Sequence, residues 1–571
     1  MAAETAAFLR KQIELVEAQR KSVEAEHEFF EAQRGPRLLG IRLRVGFQIF
    51  LVLAATVIGA ILFVMPRDAV ASRRVVIEPF QAPPDVAARG INGIVIASAL
   101  LDELSRLQDA TRSSAAARGL TGAWTGNIKL DVPETGISLG EISRLLRERF
   151  GHDVHIDGDL VETPAGGLAL TVRGNGVPPK TFSAASTDLD KLTVAAAEYV
   201  YSKSQPARWA THLNNMERFD EAVQFARTAM ASADPAERPR LLNTWSLATL
   251  NSGGSVREAL ALVRTAAKLQ PDFWVAHVNI QNDLMILADE EGAWKAGEEM
   301  RQIAGGRPGR ARESDYTNWD YLTWNLRTWL DATAADAEAN AGAGTGGTAA
   351  GPQIADIQVR LHDPEAADLA LKTTKADPHD PTLTAMTHFV RGRLAAEAGD
   401  AATAATEMEA YGTAYANPAV SIENPGYHCW IAPAEEAAGH PDKADALLKT
   451  AGTFVDCFRF RADILDGRGD WPGAQKAYAD AVVLASDLPA AYYSWGVALA
   501  KHGDLDGAAV KFKDANQKGP HWADPLKAWG DVLARQGRTK EALAKYDDAL
   551  MYAPNWKQLK YARDALAKQK G

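Results

Sequence analysis

The sequence contains few cysteines and no excess of positive charge, and each shortage excludes a class of protein. Only Cys429 and Cys457 occur among 571 residues, which excludes a disulfide-rich framework and a cysteine-based zinc module. Both lie near the starts of successive predicted helices, so they either form one disulfide or remain buried free thiols. With 62 Lys and Arg against 73 Asp and Glu, the formal net charge is −11, so nucleic acid is not an expected partner.

Recognisable catalytic and metal-binding motifs are also missing from the sequence. The chain has no P-loop, no Gly-x-Ser-x-Gly and no pair of histidines four residues apart. His428 stands beside Cys429, but neighbouring residues on a helix point in different directions, so they are not an expected nucleophile–base pair. We therefore predict no enzymatic activity, no catalytic residues, no cofactor and no metal site.

What the sequence has instead is a repeat near its carboxyl terminus. Residues of the same type recur at intervals of 34 in four columns: Gly469, Gly503 and Gly537; Ala474, Ala508 and Ala542; Tyr478, Phe512 and Tyr546; Ala481, Ala515 and Ala549. Each glycine separates two amphipathic runs of helical length and is predicted to form the turn between them. The first alanine lets the two helices approach, and the aromatic residue four positions later fills the gap to the next pair. The columns predict stacked helical hairpins in units at 455–488, 489–522 and 523–556.

This pattern resembles the tetratricopeptide repeat (TPR), because it includes Trp529, Gly530, Gly537, Ala542, Tyr546, Ala549 and Pro554. The resemblance implies a superhelix of helix pairs whose concave face binds peptides or proteins. In such repeats, fixed positions of the first helix face the concave side. These positions correspond here to Arg459, Asp463, Tyr493, Lys501, Lys527, Asp531 and Arg535, which we name the candidate groove. The alternative is a merely solvated face, and Arg459 and Asp463, four residues apart, can pair with each other.

Weaker copies of the repeat precede the regular units. Small residues keep the columns in degenerate units over 205–335, and a further array extends over 356–571. The Ala/Gly-rich stretch 336–355 between them is predicted to be a flexible insertion. Aromatic residues crowd one part of the degenerate units: Tyr316, Trp319, Tyr321, Trp324 and Trp329. Their spacing does not keep to one helical face, so we interpret most of them as packing residues, with an exposed aromatic surface for a ligand as the alternative.

Residues 74–204 show a mixed pattern of short strands and helices. Strands are predicted over 75–80, 124–132, 154–161 and 168–172, and helices over 91–109, 138–150 and 189–201. The order β-α-β-α-β-β-α predicts a small α/β domain. Glu78-Pro79-Phe80, Leu101-Asp102-Glu103-Leu104 and Asp153-Val154-His155-Ile156-Asp157-Gly158 resemble the amino-terminal domain of TolB, a resemblance that transfers no site residues.

The amino-terminal segment combines a predicted helix with an apolar run. Residues 1–45 form either a short coiled coil that makes a homodimer, or an amphipathic helix on a membrane or in solvent. Residues 46–65 contain no charge, and a run of about 20 such residues can cross a bilayer, so we predict a transmembrane helix there. The alternatives are a buried helix and a cleaved signal peptide. In a normal signal peptide, far fewer residues precede the apolar run than in this sequence. The arginines before the run place the amino terminus in the cytoplasm and the bulk in a bacterial periplasm.

These patterns together predict an α+β multidomain protein of the bacterial inner membrane. It would have an amino-terminal helix, one transmembrane helix, a small α/β domain and an all-α TPR superhelix. The predicted function is a membrane-anchored scaffold that binds partner proteins or peptides as an assembly or envelope-organising factor. The alternative is a membrane-bound sensor whose outer α/β and TPR domains bind a ligand, and whose amino-terminal helix reports it as a dimer.

Overall fold

The computed structural model describes most of the chain as two compact units. The described residues are 2–111, 113, 115–124, 145–147, 149–185, 188–304, 317–342, 350–374, 380–416, 426–450 and 454–568. One unit comprises Met1–Arg106 and Arg118–Ser204, and the other comprises Leu107–Ala117 and Gln205–Gly571. We describe each unit by itself.

The first unit begins with helix α1 (Ala2–Ala71), which contains the apolar run 46–65. A membrane crossing needs a helix that is apolar over about 20 consecutive residues. No helix among the described residues combines that length with that apolar character. The predicted transmembrane helix over 46–65 is therefore wrong, and so is the assignment to a bacterial inner membrane with a cytoplasmic amino terminus and a periplasmic bulk. The homodimer through residues 1–45 stays a prediction.

A five-stranded sheet and the helices connected to it form the rest of this unit. Its elements are β1 (Val75–Ile77), α2 (Pro84–Ala88), α3 (Gly93–Ala110, which belongs to this unit up to Arg106), β2 (Leu120–Gly122), β3 (Val154–Glu162), β4 (Leu168–Gly174), β5 (Val177–Ala184) and α4 (Leu189–Ser204). The strand order is β2-β1-β3-β4-β5. Strand β1 runs parallel to β2 and β3, and the pairs β3–β4 and β4–β5 are antiparallel. The fully buried side chains of Ile77, Ile96, Leu100, Ile156 and Leu170 form the core.

Strand β5 was not expected from the sequence. Pro178 and Pro179 lie within it, and proline is tolerated only where its missing N–H is not needed for pairing. In the described sheet, β5 pairs with β4 alone, so these prolines occupy an edge. Most of the strand predicted over 124–132 and of the helix predicted over 138–150 lies outside the described residues.

The second unit consists of helical hairpins stacked in chain order. Its described residues form ten hairpins: α5 (Pro206–Asn215) with α6 (Phe219–Ala229), α7 (Arg238–Asn251) with α8 (Val256–Leu269), α9 (Trp274–Ile286) with α10 (Glu290–Ala304), α11 (Thr317–Leu322) with α12 (Leu326–Gly342), α13 (Ala350–Arg360) with α14 (Pro364–Thr373), α15 (Pro381–Glu397) with α16 (Ala401–Tyr415), α17 (Tyr427–Ala437) with α18 (Pro441–Thr450), α19 (Val455–Gly467) with α20 (Trp471–Leu484), α21 (Pro489–Lys501) with α22 (Leu505–Lys518), and α23 (Ala523–Arg535) with α24 (Thr539–Tyr552). Helix α25 (Lys557–Lys568) follows the last hairpin, and its Leu559 is buried against that hairpin. Of the predicted insertion 336–355, residues 336–342 belong to α12 and 350–355 to α13, and the rest lies outside the described residues.

The last three hairpins show why the repeat columns have their residue types. Gly469, Gly503 and Gly537 form the turns with φ of 85°, 85° and 77°, a left-handed conformation in which glycine carries no Cβ penalty. All members of the alanine columns, and the aromatic residues Tyr478, Phe512 and Tyr546, are buried. A Cβ on Gly530 would lie 2.5 Å from the Tyr546 ring, so the glycine makes room for the aromatic residue. The helical-hairpin repeat expected from the columns is confirmed.

The other seven hairpins have the same turn position, but four of them lack glycine there. Gly253, Gly399 and Gly439 have positive φ, as do four other residues with φ of 55° to 60°: Glu217, Ala288, Trp324 and His362. A side chain in this left-handed conformation costs roughly 1–2 kcal/mol. The turn therefore belongs to the fold of every hairpin, whereas glycine is only its least costly residue.

The array curls back on itself within the second unit. Trp324 stacks on Trp522 with 4.1 Å between ring centroids, and His362 stacks on Trp556 at 3.6 Å. His362 Nε2 also lies 3.0 Å from Asp524 Oδ1. The turns of the fourth and fifth hairpins thus contact the last hairpins of the array.

One disulfide links consecutive hairpins, which settles the alternative left open by the sequence. Cys429 on α17 and Cys457 on α19 are bonded, with 5.0 Å between their Cα atoms. Both are buried. The bond joins the last degenerate hairpin to the first regular one.

Candidate ligand pocket and groove

The first helices of four consecutive hairpins surround a cavity of about 450 Å³. Its lining comes from the turn of the fourth hairpin and from α13, α15, α16, α17 and α19: Trp324, Arg360, Gly392, Arg393, Ala396, Gly399, Ala401, Ala404, Met408, Trp430, Pro433, Ala434, Ala437, Arg459 and Phe460. We name it the arginine pocket, since the ionisable side chains among its described lining residues are three arginines. The remaining lining is aromatic, aliphatic or small.

A single carboxylate holds two of these arginines. Arg360 Nε lies 2.8 Å from Asp356 Oδ2, and Arg393 Nη1 lies 2.5 Å from the other oxygen. Burial alone would raise the pKa of Asp356, but the two guanidinium groups outweigh burial and hold that pKa below its usual value. Two cations therefore share one anion at the wall of the pocket. Glu397, one turn beyond Arg393 on α15, is a second carboxylate that interacts with this guanidinium, and partial burial raises its pKa.

Aromatic rings surround the most buried arginine. The guanidinium carbon of Arg360 lies 4.9 Å from the centroid of Trp324, 5.4 Å from Tyr321, 5.8 Å from Trp430 and 6.0 Å from Trp329. Such rings stabilise a desolvated guanidinium through cation–π attraction. The aromatic segment predicted over 316–329 thus serves both packing and the pocket, although Tyr316 lies outside the described residues.

Arg459 is the third arginine and belongs to both the pocket and the candidate groove. Its Nε lies 2.9 Å from Asp456 Oδ1, and its Nη1 lies 3.8 Å from Asp463 Oδ2. The hydroxyl of Tyr478 donates to Asp463 Oδ1 at 2.5 Å. The expected pairing of Arg459 with Asp463 is therefore present, but only as a loose contact.

A second part of the candidate groove repeats this arrangement two units later. Lys527 Nζ lies 2.7 Å from Asp531 Oδ2, and the hydroxyl of Tyr546 donates to Asp531 Oδ1 at 2.8 Å. Tyr546 stands two repeats after Tyr478 in the aromatic column. In both units the second helix therefore fixes a carboxylate of the first helix.

The other three groove residues do not join these clusters. Tyr493 is packed between aromatic rings, with its centroid 4.7 Å from that of Trp522. Lys501 pairs with Asp466 at 2.7 Å, and Arg535 Nη1 donates to the carbonyl oxygen of Ala500 at 2.8 Å. Lys501 and Arg535 therefore link neighbouring hairpins at the ends of their helices.

Sequence reasoning missed Arg360, Arg393 and Trp430 because they lie in degenerate hairpins. The signal becomes visible once the turn residues are known. Asp463 and Asp531 stand six residues before the turns at Gly469 and Gly537, and the same offset gives Arg393 before Gly399 and Asp356 before His362. Since His362 is not glycine, its turn could not be located from the repeat columns.

The second unit is thus a tetratricopeptide-like array of helical hairpins. The chain matches no protein-family model and no curated protein sequence. Among solved structures it is similar to yeast Tom70, with 12% identity, a TM-score of 0.29, and coverage of 63% of this chain and 94% of that one. It is also similar to the APC/C hetero-tetramer Cut9-Hcn1, with 13% identity, a TM-score of 0.38, and coverage of 67% and 84%. Both TM-scores are too low to carry an argument, so the repeat assignment rests on the hairpins themselves, and no comparison supports the resemblance of 74–204 to TolB.

Proposed function

We propose that this protein is a scaffold that binds a partner protein or peptide through the candidate groove. The observation that carries the proposal is the pair of tyrosine-fixed carboxylates, Asp463 and Asp531. Their side chains are 42% and 41% exposed, yet each accepts a hydrogen bond from a tyrosine of the helix behind it. These carboxylates are therefore both accessible and held in place.

Fixed polar groups favour binding because ordering a surface opposes association. Each mobile side chain that becomes immobilised on binding costs about 0.5–1.5 kcal/mol. In the candidate groove that ordering has already occurred at Lys527 and Asp531, which form an ion pair within one helix. A partner that presents a basic group to Asp531 or Asp463 would meet a pre-organised acceptor. We also propose that the protein is not an enzyme.

Site-specific photo-crosslinking tests the proposal. A photo-reactive amino acid replaces Lys501 or Arg535, two exposed groove residues, in the full chain, so that the two tyrosine-fixed carboxylates remain intact. Matched variants carry it at Asp480 or Lys540, which are exposed on second helices. We expect one protein to be captured from both groove positions and from neither control. Asp531→Ala in the otherwise native chain should then weaken binding of that protein by about tenfold, as expected for a lost charge-assisted hydrogen bond.

Capture of the same proteins from groove and control positions would contradict the proposal. So would an unchanged dissociation constant for Asp531→Ala, with Asp480→Ala as the control. The arginine pocket favours a second function, the binding of a small ligand.

A further inference from the structure

We propose that the arginine pocket binds a small aromatic carboxylate. This inference goes beyond the scaffold function, because it concerns another surface and other residues. The two share only Arg459, which is left unchanged in the test below.

The charge of the pocket calls for an anion. Arg360, Arg393 and Arg459 line the pocket, and no carboxylate is among its described lining residues, so the wall presents guanidinium groups to anything that enters. Of the two that share Asp356, Arg393 is the more accessible, with a side chain 20% exposed against 4% for Arg360. An anion entering the pocket would therefore meet Arg393 first. A guanidinium presents parallel N–H donors that match the two oxygens of a carboxylate.

The apolar walls of the pocket favour an anion that carries a flat apolar group. Trp324, Trp430, Phe460 and Met408 supply large apolar surfaces, and alanine and glycine residues make up most of the remaining lining. Aromatic rings pack well against such surfaces in offset or edge-on arrangements. Pockets that bind small molecules combine a mostly apolar lining with a few fixed polar groups, as this one does.

The size of the pocket favours a small molecule over a protein segment. A volume of about 450 Å³ equals that of roughly 15 water molecules at ≈ 30 Å³ each. It falls in the lower part of the range of about 300–1,000 Å³ for ligand sites. A single ring system with a short acidic side chain fits this volume, whereas an extended peptide would leave most of its length outside.

The turn at Trp324 places a large aromatic side chain at the pocket. Trp324 has φ of 55°, at a turn where six other hairpins of the described array use glycine. Keeping a bulky side chain in this conformation costs roughly 1–2 kcal/mol, and such strain concentrates at binding sites. The indole of Trp324 stacks on Trp522, and it also lines the pocket and lies over Arg360; glycine could serve none of these roles.

Calorimetric titration of the full chain with indole-3-acetate tests the proposal, with indole-3-acetamide as its uncharged analogue. Two variants alter the pocket: Arg393→Gln removes the more accessible of the two paired guanidinium groups, and Ala437→Trp fills the exposed edge of the lining without changing any charge. The matched control is Arg391→Gln, an exposed arginine on the same helix that does not line the pocket. Arg393→Gln should fold, because Asp356 keeps Arg360 as its partner.

We expect indole-3-acetate to bind at least about tenfold more tightly than the amide, a difference of about 1.4 kcal/mol. Each pocket variant should weaken its binding at least tenfold, and Arg391→Gln should leave it unchanged. Equal affinity for acid and amide would overturn the proposal, as would binding that survives both pocket variants, or no heat at about 10 mM ligand, well above the millimolar limit of weak specific binding. Tighter binding of a hexapeptide ending in tryptophan would overturn the assignment to a small molecule. If Arg393→Gln failed to fold, Ala437→Trp alone would decide the outcome.

Discussion

The second unit contains two kinds of hairpin, and they differ in what their first helices and turns contain. In the three regular hairpins, glycine forms each turn, and the tenth residue of each first helix is apolar and buried: Ile464, Ala498 and Val532. In the seven degenerate hairpins, four turns use other residues. Asp283 occupies the tenth position in α9 and is buried. Asp356, on the first helix α13 of another degenerate hairpin, is also buried. The regular hairpins therefore show what packing alone requires, and some departures from them, such as Trp324 and His362, are residues that make further contacts.

The turn residues of the two kinds of hairpin also differ in their contacts. Gly469, Gly503 and Gly537 meet nothing within 4 Å of an added Cβ, so their turns contact no other part of the described array at that point. Trp324 and His362, at the same position, stack on Trp522 and Trp556. These two degenerate turns thus have a more strained residue in place of glycine, and that residue makes contacts that close the array. Four sets of substitutions test this difference between the two kinds of hairpin.

The largest effect is expected from Asp356→Ala. Removing this carboxylate leaves Arg360 and Arg393 without their shared anion, and breaking a buried ion pair costs roughly 3–5 kcal/mol. The free energy of unfolding, measured by urea denaturation with tryptophan fluorescence, should fall by that amount. The control is Asp480→Ala, an exposed aspartate of a regular hairpin, which should change stability by less than about 0.5 kcal/mol. Equal effects of the two substitutions would show that the buried network adds nothing to the degenerate half.

A pH-dependent effect of nearly that size is expected from Asp283. Burial raises its pKa from 3.8 to about 7, and its side chain is fully buried with both oxygens unpaired in the described structure. The folded state thus binds a proton that the unfolded state has lost. The stability contributed by Asp283 is complete below pH 3.8, falls as pH rises towards about 7, and stays constant above it.

Asp283→Asn should remove this dependence. A shift of about three pKa units corresponds to at most about 4 kcal/mol, so the variant should gain stability relative to the native protein between pH 5 and pH 8. Urea unfolding at both pH values measures the gain. Asp480→Asn provides the exposed control. Parallel pH dependence of the native protein and Asp283→Asn would refute the assignment of the titrating group.

The disulfide between Cys429 and Cys457 offers the next largest effect, since it joins the two kinds of hairpin. It closes a loop with a sequence separation of 28, for which the loss of chain entropy predicts a stabilisation of about 3.5 kcal/mol. The double variant Cys429→Ala/Cys457→Ala should therefore unfold at lower urea concentration. Dithiothreitol should destabilise the native protein similarly and leave the variant unaffected. A midpoint that responds to neither treatment would show that this bond does not stabilise the junction.

The regular hairpins also explain how much of this molecule could be predicted from sequence. Gly503, Ala508 and Phe512 each meet one local requirement: the turn, the close approach of two helices, and the filling of the gap to the next pair. Because the same residue types recur every 34 residues, the sequence predicts the hairpins and their turns. Arg459 followed by counting along the same pattern. The array closes through pairs such as His362 and Asp524, 162 residues apart, and the angle between successive hairpins leaves no periodic trace in the sequence.

The missed and mistaken features have equally local causes. Arg360 and Arg393 lie in hairpins whose columns have decayed, so their position relative to the turn was hidden. Strand β5 contains two prolines and pairs on one side only, so it lacks the alternation of a half-buried strand. The absence of charge over 46–65 meets only one requirement of a membrane span. None of the described helices combines the necessary length with the necessary apolar character.

The smallest expected effects come from exchanging turn residues between the two kinds of hairpin. Glu217 is exposed and has φ of 59°, so Glu217→Gly should relieve backbone strain and stabilise the protein. The gain is about 0.5–1 kcal/mol, because relief of roughly 1–2 kcal/mol is partly offset by the greater freedom of glycine in the unfolded chain. Gly503→Ala should have the opposite sign at a similar magnitude, since φ there is 85° and an added Cβ meets no atom within 4 Å. Urea midpoints of the two variants measure both effects, and shifts in the same direction would show that the degenerate and regular turns do not share one conformational requirement.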